Sequence, residues 1–214
     1  VHLESFHLDG RMPVWRFAIG DLVLEQRIWL EPGANTSTIA WRLTPESAVR
    51  PLRLRVHLLV NDRDHHVRTR MADFQPVLAA PNPALRLVET SAFTLQLRAC
   101  GGVIQDGVSW FENFDLPVEH ERGLAHRDHH FCLGEALLDL HPGVWTGVVA
   151  SLEDGADPDL NAAMQRFRDR DIALLAQAEA QHPEWRGAPD WTRQLLLAAD
   201  SFIVSRPLPD GSPG

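Results

Sequence analysis

Leu52-Arg53-Leu54-Arg55-Val56-His57-Leu58 alternates apolar and polar residues without a break. In an extended chain successive side chains point to opposite faces, so this rhythm sets one face against a core and the other toward water. The pattern continues outward on both sides, in Leu22, Leu24, Ile28 and Leu30, in Ile39, Trp41 and Leu43, in Phe93, Leu95 and Leu97, and from Val144 to Ala150. Turn chemistry separates the runs: Ile19-Gly20-Asp21, Glu31-Pro32-Gly33-Ala34-Asn35, Thr44-Pro45-Glu46 and His141-Pro142-Gly143. Short strands joined by such turns predict a mostly β chain, a sandwich or barrel with antiparallel strands, and not alternating β and α units.

The period changes after Ser151. Asp157-Pro158 offers a helix start, because an Asp side chain can accept from an unpaired backbone NH and Pro has none to leave unpaired. Leu160, Met164, Phe167, Leu174 and Leu175 then recur at helical spacing to about Ala180, and Pro183 stops the run. A second helix is expected from Asp190, with Trp191, Leu195, Ala199 and Phe202 on one face. These stripes fit either a connection to a further domain or a cover for the sandwich itself. The expected division is a β domain over 1–151, helices over 152–206, and a linker or disordered tail over 207–214, where Pro, Gly and Ser dominate. With Val1-His2-Leu3 already inside an alternating pattern, the chain is expected to be part of a longer polypeptide.

Composition narrows the function classes. The 214 residues are 44% hydrophobic and 23% charged, as in a soluble globular protein. No apolar run has the length of a bilayer span and none follows a basic stretch as in a signal peptide, so a cytoplasmic location and no membrane partner are expected. The net charge of −9 argues against nucleic acid, whose binding needs a cationic face. All 20 basic residues are arginine. Cys100 and Cys132 lack the spacing of a disulfide framework or metal site and are expected to be reduced core residues.

The stretch from Trp110 to His130 concentrates aromatics, carboxylates, Arg122 and histidines with neither strand nor helix rhythm, and is expected to be a long loop. Sugar sites use this mixture, an aromatic face against the CH side of a pyranose and planar polar groups on its hydroxyls. The candidates are Trp110, Phe111, Asn113, Glu119 and Arg122; the competing reading makes the aromatics core plugs and pairs Arg122 with Glu119 or Glu121. Glu119, Glu121 and Asp128 suggest no definite acid pair for glycoside hydrolysis, and no catalytic residue is assigned. His126, His129 and His130, like His65 and His66, lack the His-Glu-x-x-His order of a zinc helix and read as solvated loop residues, so no metal or cofactor is expected. Asn61-Asp62-Arg63-Asp64-His65-His66, following the alternating strand, is a second polar loop, and Asp64 joins the candidates.

Read together, several segments resemble the amino-terminal domain of bacterial and archaeal glycogen-debranching enzymes of the amylo-α-1,6-glucosidase type. They are Leu3 to Asp9 with Pro13-Val14-Trp15; Val23 to Ile28; Leu58 to His66; Trp110 to Phe114 leading to Glu119-His120-Glu121-Arg122-Gly123-Leu124; and Leu197 to Val204. They spread over nearly the whole chain. The resemblance implies an antiparallel β supersandwich followed by two linker helices toward a missing α/α toroid, which in that family carries the acid and base. It implies α-glucan (glycogen, limit dextrin) as substrate, the toroid of the same protein as partner, and Trp110, Phe111, Asn113, Glu119, Arg122 and Asp64 as substrate-binding or domain-interface residues. An independent α-glucan-binding module and the sandwich of a glycoside phosphorylase are the alternatives.

Overall fold

The computed structural model describes residues 2–47, 52–63 and 67–203. Eleven strands and three α-helices follow in order: β1 (His2–Asp9), β2 (Met12–Ile19), β3 (Leu22–Leu30), β4 (Thr36–Leu43), β5 (Leu52–Val60), β6 (Val77–Asn82), β7 (Leu85–Glu89), β8 (Thr94–Cys100), β9 (Gly102–Asp115), α1 (Pro117–Glu121), β10 (Arg127–Leu140), β11 (Thr146–Ser151), α2 (Leu160–Gln181) and α3 (Asp190–Asp200) among the described residues. The chain is mostly β, as the alternation predicts. Eight strands form one antiparallel sheet in the order β1-β2-β3-β4-β11-β8-β7-β6, and three form a second, β5-β10-β9.

The two sheets face each other across a core set by the period of two. From the small sheet, Leu58, Val60, Ile104, Phe131, Leu133, Ala136, Leu138 and Leu140 point inward; Leu22, Leu24, Trp41, Leu43, Val88, Leu97, Ala99 and Val148 meet them from the large one. Arg53 and Arg55, on the alternate positions of β5, stand outside and pair with Asp139 and Glu135 of β10. The segment from Cys100 to Gly102 carries the chain from β8 in the large sheet to β9 in the small one, with Gly101 at φ +83°, a conformation that disfavours any side chain.

The other face of the large sheet is covered by α2. Leu160, Ala163, Met164 and Phe167 bury against Met12, Trp29, Ala40, Cys100 and Val149, so the helical stripe is a cover for the sandwich. The helix begins two residues later than Asp157-Pro158 suggests, because Asp159 is the residue whose side chain accepts from the NH groups of Asn161 (2.9 Å) and Ala162 (3.1 Å). Asp157 instead accepts from the Asp159 NH and from Arg166.

Around this apolar contact runs a belt of arginine–carboxylate pairs. Arg27 reaches Glu25 at 2.7 Å and Asp9 at 2.6 Å, and Arg168 of α2 closes on the same Asp9 at 2.7 Å. Arg11, in the β1–β2 turn, meets Asp171 of α2 at 2.7 Å and Asp200 of α3 at 2.8 Å. The indole of Trp145 lies under the guanidinium groups of Arg27 and Arg42. Burial would raise the pKa of Asp9, Glu25 and Asp200, but their arginine partners outweigh it and hold all three below the ordinary carboxylate value. At Asp171 burial wins over Arg11, and its pKa is raised.

α3 is placed correctly by the sequence, with the opposite orientation from a buried stripe. Leu197 is its buried residue, while Trp191 (63% exposed) and Leu195 (59%), with Phe202 (85%) just after the helix, are left in solvent.

Candidate functional site

The stretch from Trp110 to His130 is not an irregular loop. It is the distal half of a hairpin of two fourteen-residue strands, β9 and β10, closed by the one-turn helix α1. Pro117 starts that turn and Gly123, at φ +70°, ends it. The rhythm is hidden from the sequence by two bulges: the pairing of β9 and β10 shifts between Asp128 and His130 and again between Cys132 and Gly134. At the first, Asn113 takes φ +60°, and its NH donates to His129 Nδ1 at 3.4 Å.

Within this hairpin the candidates separate. Trp110 points inward, edge-on to Phe131 (5.5 Å) and Phe74 (6.3 Å), and plugs the open end of the core. Phe111 points outward and meets the ring of His57 at 5.0 Å. Glu119 and Arg122 pair across one turn of α1 at 3.4 Å, on the surface. Trp110 and Phe111 therefore lie on opposite faces of one strand, and the candidates do not converge on one point. Asp64 lies outside the described residues.

Sequence reasoning misses the polar knot near the closed end of the hairpin. Asp128 is 1% exposed, yet it is a carboxylate: it accepts from the NH groups of Thr69 (2.8 Å) and His129 (2.9 Å) and pairs with Arg63 at 3.1 Å. Beside it, the Asn61 amide group donates to the carbonyls of Val60 (2.8 Å) and His129 (3.3 Å), while its oxygen accepts from His130 Nδ1 (2.6 Å) and from the Thr69 hydroxyl (3.2 Å). A buried charge is tolerated only with such partners. The available signal was the polar run Asn61-Asp62-Arg63 directly after a half-buried strand. Its role is to fasten the segment after β5 to the hairpin.

The outer face of the small sheet holds a groove of about 310 Å³ between Arg55, His57, Gln105, Asp106, Gly107, Ser109, Phe111, Cys132 and Glu135. A larger hollow, about 430 Å³, lies where Arg11, Trp29, Leu30 and Pro32 face Phe167, Arg170, Asp200 and Ile203, at the junction of sheet and helices. Cys100 and Cys132 are both buried and free, and burial pushes the Cys100 thiol up to about 11, out of nucleophilic range at neutral pH.

Two antiparallel sheets, one backed by a helix and the other extended into a long aromatic hairpin, define a β-sandwich domain. The model of the family described as "Glycogen debranching enzyme N terminal" matches residues 1–146, about two thirds of the chain, and the chain belongs to that family. No curated protein matches it. No helix among the described residues is long and apolar enough to cross a membrane.

Proposed function

We propose that the chain serves as the non-catalytic amino-terminal domain of a cytoplasmic debranching glucosidase that hydrolyses α-1,6 branch points of glycogen and limit dextrins. Its part is to support a helical catalytic domain of the same protein, with the Trp110–Arg122 hairpin end at the rim of that partner. The observation that carries this reading is the outward face of α3. Trp191 and Leu195 on α3 and Phe202 just after it are large apolar side chains left exposed beyond the sandwich, and exposed apolar surface of this kind marks an interaction surface. The hairpin end supports the same role: Glu119 is engaged by Arg122, and the acids for bond cleavage come from the partner.

The test is glucose release from limit dextrin, measured on the full gene product and on the 214-residue chain alone. Hydrolysis by the first and not the second is expected. Activity in the isolated chain would overturn the proposal, and dependence on inorganic phosphate would assign the sandwich to a phosphorylase instead.

A further inference from the structure

The groove on the outer face of the small sheet is built by the backbone. Going across the strands, His57, Glu135 and Gln105 form one row, and Leu59, Cys132 and Ser109 form the next. Between the two rows both β9 and β10 bulge, and the residues there include Gly107 and Gly134. A Cβ built on Gly107 would come no nearer than 3.8 Å to its neighbours, the Gly134 Cα, so the gap between the rows is open for want of a side chain. At Gly134 the backbone has φ +145°, and a Cβ would lie 2.2 Å from the Gln105 carbonyl oxygen. Glycine is thus required at one side of the depression and leaves it empty at the other.

Its walls have a definite chemistry. Arg55 lies flat against Glu135, with its Nε donating at 2.9 Å, and His57 Nδ1 stands 3.4 Å from the other oxygen of the same carboxylate. Asp106 is taken up by Arg86 at 2.9 Å. The charges are therefore matched within the protein, which disfavours an ionic ligand. The Gln105 amide and the Ser109 hydroxyl have no hydrogen-bonding partner among the described residues, and they line the groove beside the Phe111–His57 ring pair. Free donors and acceptors on planar groups, an apolar ring wall, balanced charge and a volume for about one or two pyranose rings suit a neutral polyhydroxylated ligand.

We propose that this groove is a surface subsite for an α-glucan chain, separate from the inward-facing Trp110 and from the exposed apolar side chains at α3. It rests on the reading of the chain as part of a glucan-processing protein, and would hold polymer near the catalytic partner without taking part in bond cleavage. Gln105 and Ser109 bind hydroxyls, Phe111 packs against a sugar face, and the Gly107 gap admits the ring.

The experiment is calorimetry and amide-shift mapping of the 214-residue chain with maltoheptaose. Millimolar or tighter binding is expected, with shifts at Gln105 to Phe111. Gly107→Leu fills the gap without touching a polar group and should abolish binding while leaving the melting curve unchanged. Gln105→Ala should weaken binding about two- to tenfold, the range for one hydrogen bond, and covers the case in which Gly107→Leu disturbs the hairpin. Absence of heat and shifts up to the solubility limit, or binding that survives both substitutions, would overturn the proposal. Limit-dextrin hydrolysis by the full gene product is assayed in parallel: hydrolysis without binding by the chain sinks this subsite and leaves the debranching reading intact, whereas binding without hydrolysis supports the subsite and removes that reading.

Discussion

Phe167→Ala tests whether α2 is part of the sandwich or only a tether leaving it. The ring is 7% exposed, sits among Met12, Trp29 and Met164, and carries the guanidinium of Arg11 at 5.3 Å from its centre. Truncation removes roughly 130 Å² of buried apolar surface, about 3 kcal/mol at 25 cal/mol/Å². The cavity and the lost cation–π contact add to this, and water reaching Arg11 returns a little, which gives an expected loss of about 3–5 kcal/mol. Urea unfolding followed by tryptophan fluorescence reads it, because Trp29 and Trp145 lie in the same layer. The transition should remain single and move to lower urea with its slope unchanged. A loss under about 1 kcal/mol, within the usual range for surface positions, would refute the reasoning, as would an early phase in which the helix leaves while the sandwich signal persists.

Gly134→Ala should cost more than about 2 kcal/mol, because a Cβ would collide with the Gln105 carbonyl, while Gly107→Ala should be close to neutral; paired urea curves decide. Asp171 has a raised folded pKa, so ionising it weakens the fold, and this penalty appears as pH rises through the window above its ordinary value of 3.8. The stability of wild type relative to Asp171→Asn should therefore fall across that window, and a flat difference would refute it. Asp9, Glu25 and Asp200 are lowered, so their contribution is present above the ordinary carboxylate range and is lost on acidification through their folded values; Asp9→Asn should flatten acid unfolding seen by circular dichroism. Leu3, Phe6 and Leu8 are between 46% and 58% exposed on the inner side of the large sheet, beyond the reach of the small one. Light scattering should show self-association of the chain, reversed by Phe6→Glu; a monomer at high concentration would count against it.

The sandwich is legible in the sequence because its strands have one wet and one dry face, and Leu52 to Leu58 declares both. The hairpin end is not. There Val108, Glu112 and Phe114 are exposed on a ribbon with much of both faces in water, so burial imposes no alternation, and two bulges shift what pattern remains. The ionic belt escaped for another reason. Arg27 occupies a strand position that reads as solvent-facing, and its burial follows from a helix more than a hundred residues later that lays Met164 over it. The spacing in α3 gives a face but cannot say whether anything covers it. The groove left one mark, glycines inside apparent strands at Gly107 and Gly134, which signals bulges but not what they open onto.

The position of β11 bears on how the chain assembles. It is the last strand, and it lies between β4 and β8, pairing Val148 with both Ile39 and Ala99. Before it arrives, the large sheet exists only as two separate ribbons, β1 to β4 on one side and β6 to β8 on the other, each held by neighbours in sequence. The sheet is sealed at its centre and not at a margin, and by a contact spanning about a hundred residues on one side, whose loop-closure entropy slows the search. A ribosome-bound chain interrupted before Thr146 would hold two halves with no keystone, each presenting an open flank to any neighbour it meets.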